Sequence, residues 1–139
     1  RKQCRALNLE DHVSMPGFVP LDKVSELFAR ADCFVMPSII APSGDRDGIP
    51  NVIMEALLHR VPVVASDVSG IGELILHQHT GLLTPEKDAP ALAEAMKAMC
   101  ADRAHALILA EAGKRRVLEL FDPETNDGRV LSLLRPGGP

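Results

Sequence analysis

Two short apolar runs without polar alternation constrain the fold of this chain most. They occupy residues 33–36 (CFVM) and 61–65 (VPVVA). Such runs are typical of strands buried on both faces of a parallel sheet. Residues 51–59 lie between them and carry apolar side chains at helical spacing, so the pattern predicts strand, helix, strand. Buried strands that alternate with helices predict an α/β fold with a doubly wound parallel sheet and right-handed crossovers.

The remaining elements continue the same alternation. A helix end is predicted at residues 1–9, and a short strand with its exit loop at residues 13–19. After these we expect a helix capped by Asp22, loops at 38–50 and 66–70, a short helix near 73–77, a strand at 81–84, a helix capped by Asp88, and a last helix from about 102 to 120. The length of 139 residues fits one domain, which we place at residues 1–121, with a C-terminal tail at 122–139.

Composition and charge exclude several classes of protein. The net charge is −4 and the chain has no Trp and no Tyr, which argues against a nucleic-acid platform built on basic and stacking side chains. No apolar stretch approaches the roughly 20 residues that span a bilayer. The three cysteines are scattered without a C-x-x-C pair, so we expect neither a disulfide framework nor a zinc site, and a cytoplasmic location. The start at Arg1, inside a predicted helix, leads us to expect a fragment truncated on its N-terminal side.

The loop before residue 51 is the strongest candidate for a site. Ligands of open α/β sheets bind beyond the carboxyl ends of the strands, where this loop lies. It contains Gly48 and runs straight into the predicted helix, whose first turn would offer free amides and the positive end of the helix dipole to a phosphate or diphosphate. Pro50 has no amide hydrogen, so the donors would be Ile49, Asn51 and Val52.

Two carboxylates flank this candidate phosphate site. Glu55 lies four residues after Asn51, on the same face of the predicted helix, and Asp47 precedes the turn. A carboxylate repels a diphosphate, so both are better suited to accept hydrogen bonds from sugar hydroxyls, with the ribose as the natural partner of Glu55. The alternatives are a solvated helix surface for Glu55 and a turn-capping role for Asp47.

The pair of histidines at 77 and 79 forms an H-x-H pattern that could suggest a metal ion. No further histidine, cysteine or acidic cluster in the sequence completes a ligand set around His77 and His79. We therefore expect a solvent-facing loop and no bound metal.

Several motifs in order resemble a known enzyme family. They are DGIPNVIMEAL at 47–57, VPVVASD at 61–67, GIGEL at 70–74 and TGLL at 80–83, preceded by GFVP at 17–20 and ADCFVMPS at 31–38. This series is similar to the nucleotide-binding half of GT-B retaining glycosyltransferases of family 4, often called the group 1 glycosyltransferases. The segment at 38–48 further resembles members that build exopolysaccharides of the colanic acid kind.

The resemblance implies roles for individual residues. Glu55 matches the second acid of the family's paired-glutamate motif and would bind the ribose of a nucleotide-diphosphate sugar. Asp47 stands where the first acid belongs, near the donor sugar, and is one methylene shorter than the usual Glu. The candidate catalytic residue is thus Asp47, and the candidate donor-binding residues are Gly17, Gly48, Ile49, Pro50, Asn51, Val52 and Glu55. Such enzymes need no metal, because positive groups and helix dipoles take up the charge of the leaving diphosphate.

The same resemblance implies a function for the chain as a whole. We expect the C-terminal half of a GT-B fold, the donor-binding portion of a glycosyltransferase that moves a sugar to a saccharide or lipid-linked acceptor. Its partners would be the nucleotide-sugar donor, that acceptor, an N-terminal domain of the same chain, and the inner face of the membrane through that missing half. The alternatives are a non-catalytic nucleotide-binding or interaction module, and a nucleotide-sugar epimerase of GT-B shape.

Overall fold

The computed structural model of the chain describes residues 1–40 and 48–121. The elements in chain order are α1 (Lys2–Ala6), α2 (Leu21–Arg30), β1 (Phe34–Met36), α3 (Asn51–Leu58), β2 (Val63–Ser66), α4 (Ile71–Leu74), β3 (Leu82–Thr84), α5 (Ala89–Ala101) and α6 (Arg103–Phe121). The strands form a parallel sheet in the order β1-β2-β3. The predicted α/β alternation and parallel pairing are confirmed.

Helices cover both faces of this sheet. Val63 and Ala65 of β2 point to one face, where they pack with Ile53 and Leu57 of α3. Val64 points to the opposite face, in a second cluster with Met99 of α5. Because successive strand residues alternate between faces, a central strand with helices on both sides must be apolar throughout, and all four residues of β2 are buried.

Helix α6 spans the two layers. Ala106 and Leu109 in its first half join the cluster on the α5 side, and Val117 in its second half joins the α3 side. Where α6 crosses α3, Gly113 is buried, and a Cβ there would lie 2.5 Å from a methyl of Leu57 and 2.9 Å from the Thr80 carbonyl oxygen. The absence of a side chain at 113 therefore sets how closely α6 approaches α3.

Local predictions succeed where the signal is local. Asp88 caps α5 as predicted, with its Oδ1 accepting the Ala91 amide at 2.9 Å.

Arg60, just after α3, has φ 59°, a left-handed conformation that favours glycine at helix ends. Its side chain forms a surface ion pair with Glu111 at 2.6 Å.

Two local predictions are wrong, and a third is correct in type but shifted along the chain. Residues 13–19 form no strand; a strand needs a hydrogen-bonded neighbour, and none pairs with them among the described residues. Helix α2 begins at Leu21 with Pro20 as its N-cap, so Asp22 lies inside the first turn rather than at the cap. The short helix predicted near 73–77 is present as α4, but it begins and ends earlier, at Ile71–Leu74.

The run at 33–36 differs from expectation in its burial. Its three strand residues in β1 are only partly buried, because β1 is an edge of the described sheet. Within the residues described, no helix is long and apolar enough to cross a membrane.

Candidate functional site

A crevice of about 520 Å³ opens at the carboxyl ends of β1 and β2. One wall comes from the chain after β1 and the start of α3, and the other from the turn after β2. The lining residues are Met36, Ser38, Ile39, Gly48, Ile49, Pro50, Asn51, Val68, Ser69 and Ile71. This is the edge where parallel α/β sheets bind ligands, so the predicted position of the site is matched by a cavity.

The first turn of α3 faces this crevice with amide donors that have no partner among the described residues. Pro50 is the N-cap, with φ −60° and ψ 126°, and no side chain of residues 1–40 or 48–121 caps the helix. The Ile53 amide donates to the Pro50 carbonyl at 3.0 Å, which leaves the Asn51 and Val52 amides at the open end of the helix. An anion at this end would meet both N–H donors and the positive end of the helix dipole.

The turn after β2 lies directly against this helix start. A Cβ on Gly70 would lie 3.3 Å from Ile49 Cγ1 and 3.8 Å from the Ile49 amide nitrogen, so the two walls touch at these residues. The turn is fixed to the sheet, because the Asp67 amide donates to the Thr84 carbonyl at 2.8 Å. The crevice is therefore held by the ends of all three strands.

Glu55 lies beside the crevice and not in its lining. It faces a second depression of about 400 Å³, together with Val117, Leu118 and Phe121 of α6. Asn51 borders both cavities: it lines the crevice, and it lies one helical turn before Glu55, on the same face of α3. A ligand that reached both the α3 amides and Glu55 would pass over Asn51.

The other predicted site residues have different positions. Gly48, Ile49, Pro50 and Asn51 line the crevice together, and Val52 follows them in α3 without appearing in its lining. Gly17 is exposed, has φ +78°, and borders neither cavity. Asp47 lies outside the described residues.

A larger cavity of about 690 Å³ runs along the β3 edge between α5 and α6. Its lining is mainly apolar, and the helix starts that border it are already capped: Asp88 accepts the Ala91 amide at the start of α5, and Asp102 accepts the His105 amide at the start of α6. Size alone would favour it, but the smaller crevice has the free amides that an anionic ligand needs, so we place the candidate site there.

Neither the shifted pKa values nor the potential metal ligands of the described residues point to a second candidate site. Burial is the main cause that raises the pKa of the Cys33 thiol, from 9.0 to about 11. A hydrogen bond from Arg60 lowers the pKa of Glu111. Neither residue lines the crevice, and the described residues contain no group of three or more potential metal ligands. His77 instead accepts the Leu83 amide through Nδ1 at 3.0 Å, which is a structural role.

Sequence reasoning missed the residues of the second wall. Val68, Ser69 and Ile71 line the crevice, although the sequence pointed only to the loop after β2 as a whole. Ser38 and Ile39, directly after β1, were likewise not singled out. Their position immediately beyond a predicted strand end was the signal available for finding them.

The fold and crevice define a doubly wound α/β protein with an anion-favouring site at the carboxyl edge of its sheet. The family model for group 1 glycosyl transferases matches residues 1–102. The chain therefore belongs to the group 1 glycosyltransferase family, and the predicted membership and GT-B architecture are confirmed.

Individual relatives agree with this assignment. The amylovoran biosynthesis glycosyltransferase AmsK of Erwinia amylovora is 40% identical over 115 residues, covering 83% of this chain and 28% of AmsK. WcaL of Escherichia coli strain K12, whose name assigns it to colanic acid biosynthesis, is 37% identical over 128 residues, covering 91% of this chain and 32% of WcaL.

A solved structure extends the comparison to the fold. Anabaena HepE in complex with UDP superposes with a TM-score of 0.83 at 27% identity, over 96% of this chain and 35% of HepE. The chain thus spans about a third of the length of the proteins it matches.

Proposed function

We propose that this chain is the donor-binding portion of a retaining glycosyltransferase in polysaccharide biosynthesis. The enzyme would transfer a hexose from a nucleotide-diphosphate sugar to a saccharide or lipid-linked acceptor. The observation that carries the proposal is the 520 Å³ crevice at the carboxyl edge of the sheet, with the uncapped start of α3 in its wall. Its volume falls in the range of about 300–1,000 Å³ that is usual for small-molecule sites.

The chemistry of a nucleotide sugar fits this arrangement. HepE, which is similar to 96% of this chain, was solved in complexes with UDP and with UDP-glucose. A diphosphate would accept from the amides at the start of α3, where the helix dipole offsets its charge. That charge grows as the bond between the anomeric carbon and the diphosphate breaks, so the same amides would stabilise the leaving group.

We assign the remaining roles from the resemblance to the family. Glu55 would accept hydrogen bonds from the ribose hydroxyls, one helical turn beyond the amides. Asp47 would lie near the donor sugar, the backbone of residues 48–52 would hold the sugar and diphosphate, and Gly17 would lie near the base. In a retaining reaction the acceptor oxygen bonds to the anomeric carbon on the face that the diphosphate leaves.

Other parts of the expectation stay predictions. The division into residues 1–121 and a tail at 122–139 is one of them, since the tail lies outside the described residues. The cytoplasmic location, contact with the inner face of the membrane, and an acceptor-binding domain elsewhere in a longer chain are others.

Titration calorimetry with uridine, UMP, UDP and UDP-glucose tests the proposal. We expect UDP to bind more tightly than UMP, and UMP more tightly than uridine, because each phosphate adds charge near the α3 amides. Glu55→Ala should weaken every one of these ligands through the shared ribose, whereas Glu119→Ala, an exposed acid on α6, should weaken none. The proposed donor class would be contradicted if UDP and UDP-glucose did not bind while uridine and UMP bound weakly and equally.

A further inference from the structure

We propose that Glu86 is a positioning residue for the donor crevice: it fixes the wall formed by residues 38–40 to the loop after β3. The Ile40 amide donates to Glu86 Oε2 at 2.9 Å, across 46 residues of sequence. This inference rests on the proposed function of the crevice and names a residue that the family motifs did not single out.

The wall itself needs an external support. Ser38 and Ile39 line the crevice but lie beyond the end of β1, where the pairing with β2 has stopped. Among the described residues, the Ser38 amide reaches only back to the Met36 carbonyl, at 3.0 Å. The Glu86 contact is the one hydrogen bond within the described residues that joins this wall to another element.

Glu86 is well placed to provide that support. It lies two residues after the end of β3 and two residues before Asp88, which caps α5. Its side chain is about a third exposed, and its other carboxylate oxygen lies 3.6 Å from Lys87 Nζ. A carboxylate that accepts a backbone amide makes a charge-assisted hydrogen bond, which is stronger than a neutral one.

The link spans the sheet at its functional edge. Residues 38–40 follow β1 and Glu86 follows β3, so the hydrogen bond passes over the end of the central strand β2. The turn after β2 is tied to the same side by the Asp67 amide and the Thr84 carbonyl. Both walls of the crevice therefore depend on the chain that leaves β3.

Loss of the Glu86–Ile40 hydrogen bond should lower the affinity for the ligand, because residues 38–40 would occupy their binding position in a smaller fraction of the molecules. If Glu86→Ala leaves residues 38–40 in place only about a tenth of the time, the apparent affinity falls about tenfold. Glu86→Gln keeps an acceptor oxygen at the same position and should recover most of the loss. Glu94→Ala is the matched control, because within the described part of the chain Glu94 pairs with Lys97 alone, in an exposed ion pair on α5.

Two measurements on the same variants test the proposal. Amide hydrogen exchange at Ile40 should become faster in Glu86→Ala than in the wild type or in Glu94→Ala, and UDP-glucose affinity should fall about tenfold with recovery in Glu86→Gln. Faster exchange with unchanged affinity, or no change in either, would overturn the positioning role. Failure of the wild-type chain to bind any nucleotide-diphosphate sugar would instead contradict the proposed function itself.

Discussion

Asn51→Pro removes one backbone donor from the crevice and leaves the fold in place. Asn51 is the first residue of α3, where proline is tolerated because that amide has no intrahelical acceptor. A proline at 51 requires extended backbone at residue 50, and Pro50 already has φ −60° and ψ 126°. The free energy of unfolding should therefore stay within about 1 kcal/mol of the wild-type value.

The expected effect on binding follows from the lost hydrogen bond. A hydrogen bond to a charged group contributes about 1.5–3 kcal/mol. Removal of the Asn51 donor should thus weaken UDP binding by a factor of about 10–100. Asn51→Ala is the control, because it removes the side chain and keeps the amide; its affinity should stay within about threefold of the wild type.

Calorimetric titration of UDP into the two variants distinguishes the explanations. An unchanged dissociation constant in Asn51→Pro would refute the role of the α3 amide. An equal loss in both variants would assign the contact to the Asn51 side chain. Urea unfolding followed by circular dichroism checks that both variants keep the wild-type stability.

Three further predictions concern stability, each measured by urea unfolding. Gly113→Ala should lower the free energy of unfolding by about 2 kcal/mol, since its methyl would meet buried Leu57 and a backbone oxygen at under 3 Å. Gly72→Ala, whose methyl meets a single side-chain oxygen at 3.2 Å, should be neutral or slightly stabilising; equal effects at 113 and 72 would contradict the packing argument. Asp88→Ala should cost about 1 kcal/mol through loss of the α5 cap, with most of it retained by Asp88→Asn; equal losses in the two would show that the cap hydrogen bond is not the cause. Burial raises the pKa of Cys33 above its unfolded value of 9.0, so the contribution of the neutral thiol to the free energy of unfolding is complete below pH 9 and is lost as pH rises towards 11. If the free energy of unfolding of Cys33→Ala fell equally steeply over this pH range, the thiol would not be the cause.

The sequence predicted well whatever depends on neighbouring residues. The apolar runs identified β1 and β2, and the acid at 88 identified the start of α5, because these signals act within a few positions. The GIPN segment likewise identified the helix start that borders the crevice. Family membership followed from motifs in order, which no single short pattern would have supported.

Features that depend on distant partners were not predictable. The apolar pattern at 13–19 suited a strand, but a strand forms only with a neighbour, and nothing local encodes one. The Glu86–Ile40 hydrogen bond joins residues 46 apart, and neither side chain type marks it in advance. The depression that Glu55 faces is formed by the packing of α6 beside α3, and the spacing within α3 gives no sign of it.

The central claim is that a nucleotide diphosphate binds at the start of α3. The most direct test follows the backbone amide signals of the ¹⁵N-labelled chain by NMR during titration with UDP. We expect the largest shifts at Ile49, Asn51 and Val52 and in the turn at residues 68–71. Shifts confined to the groove between β3, α5 and α6, with the α3 amides unchanged, would contradict it.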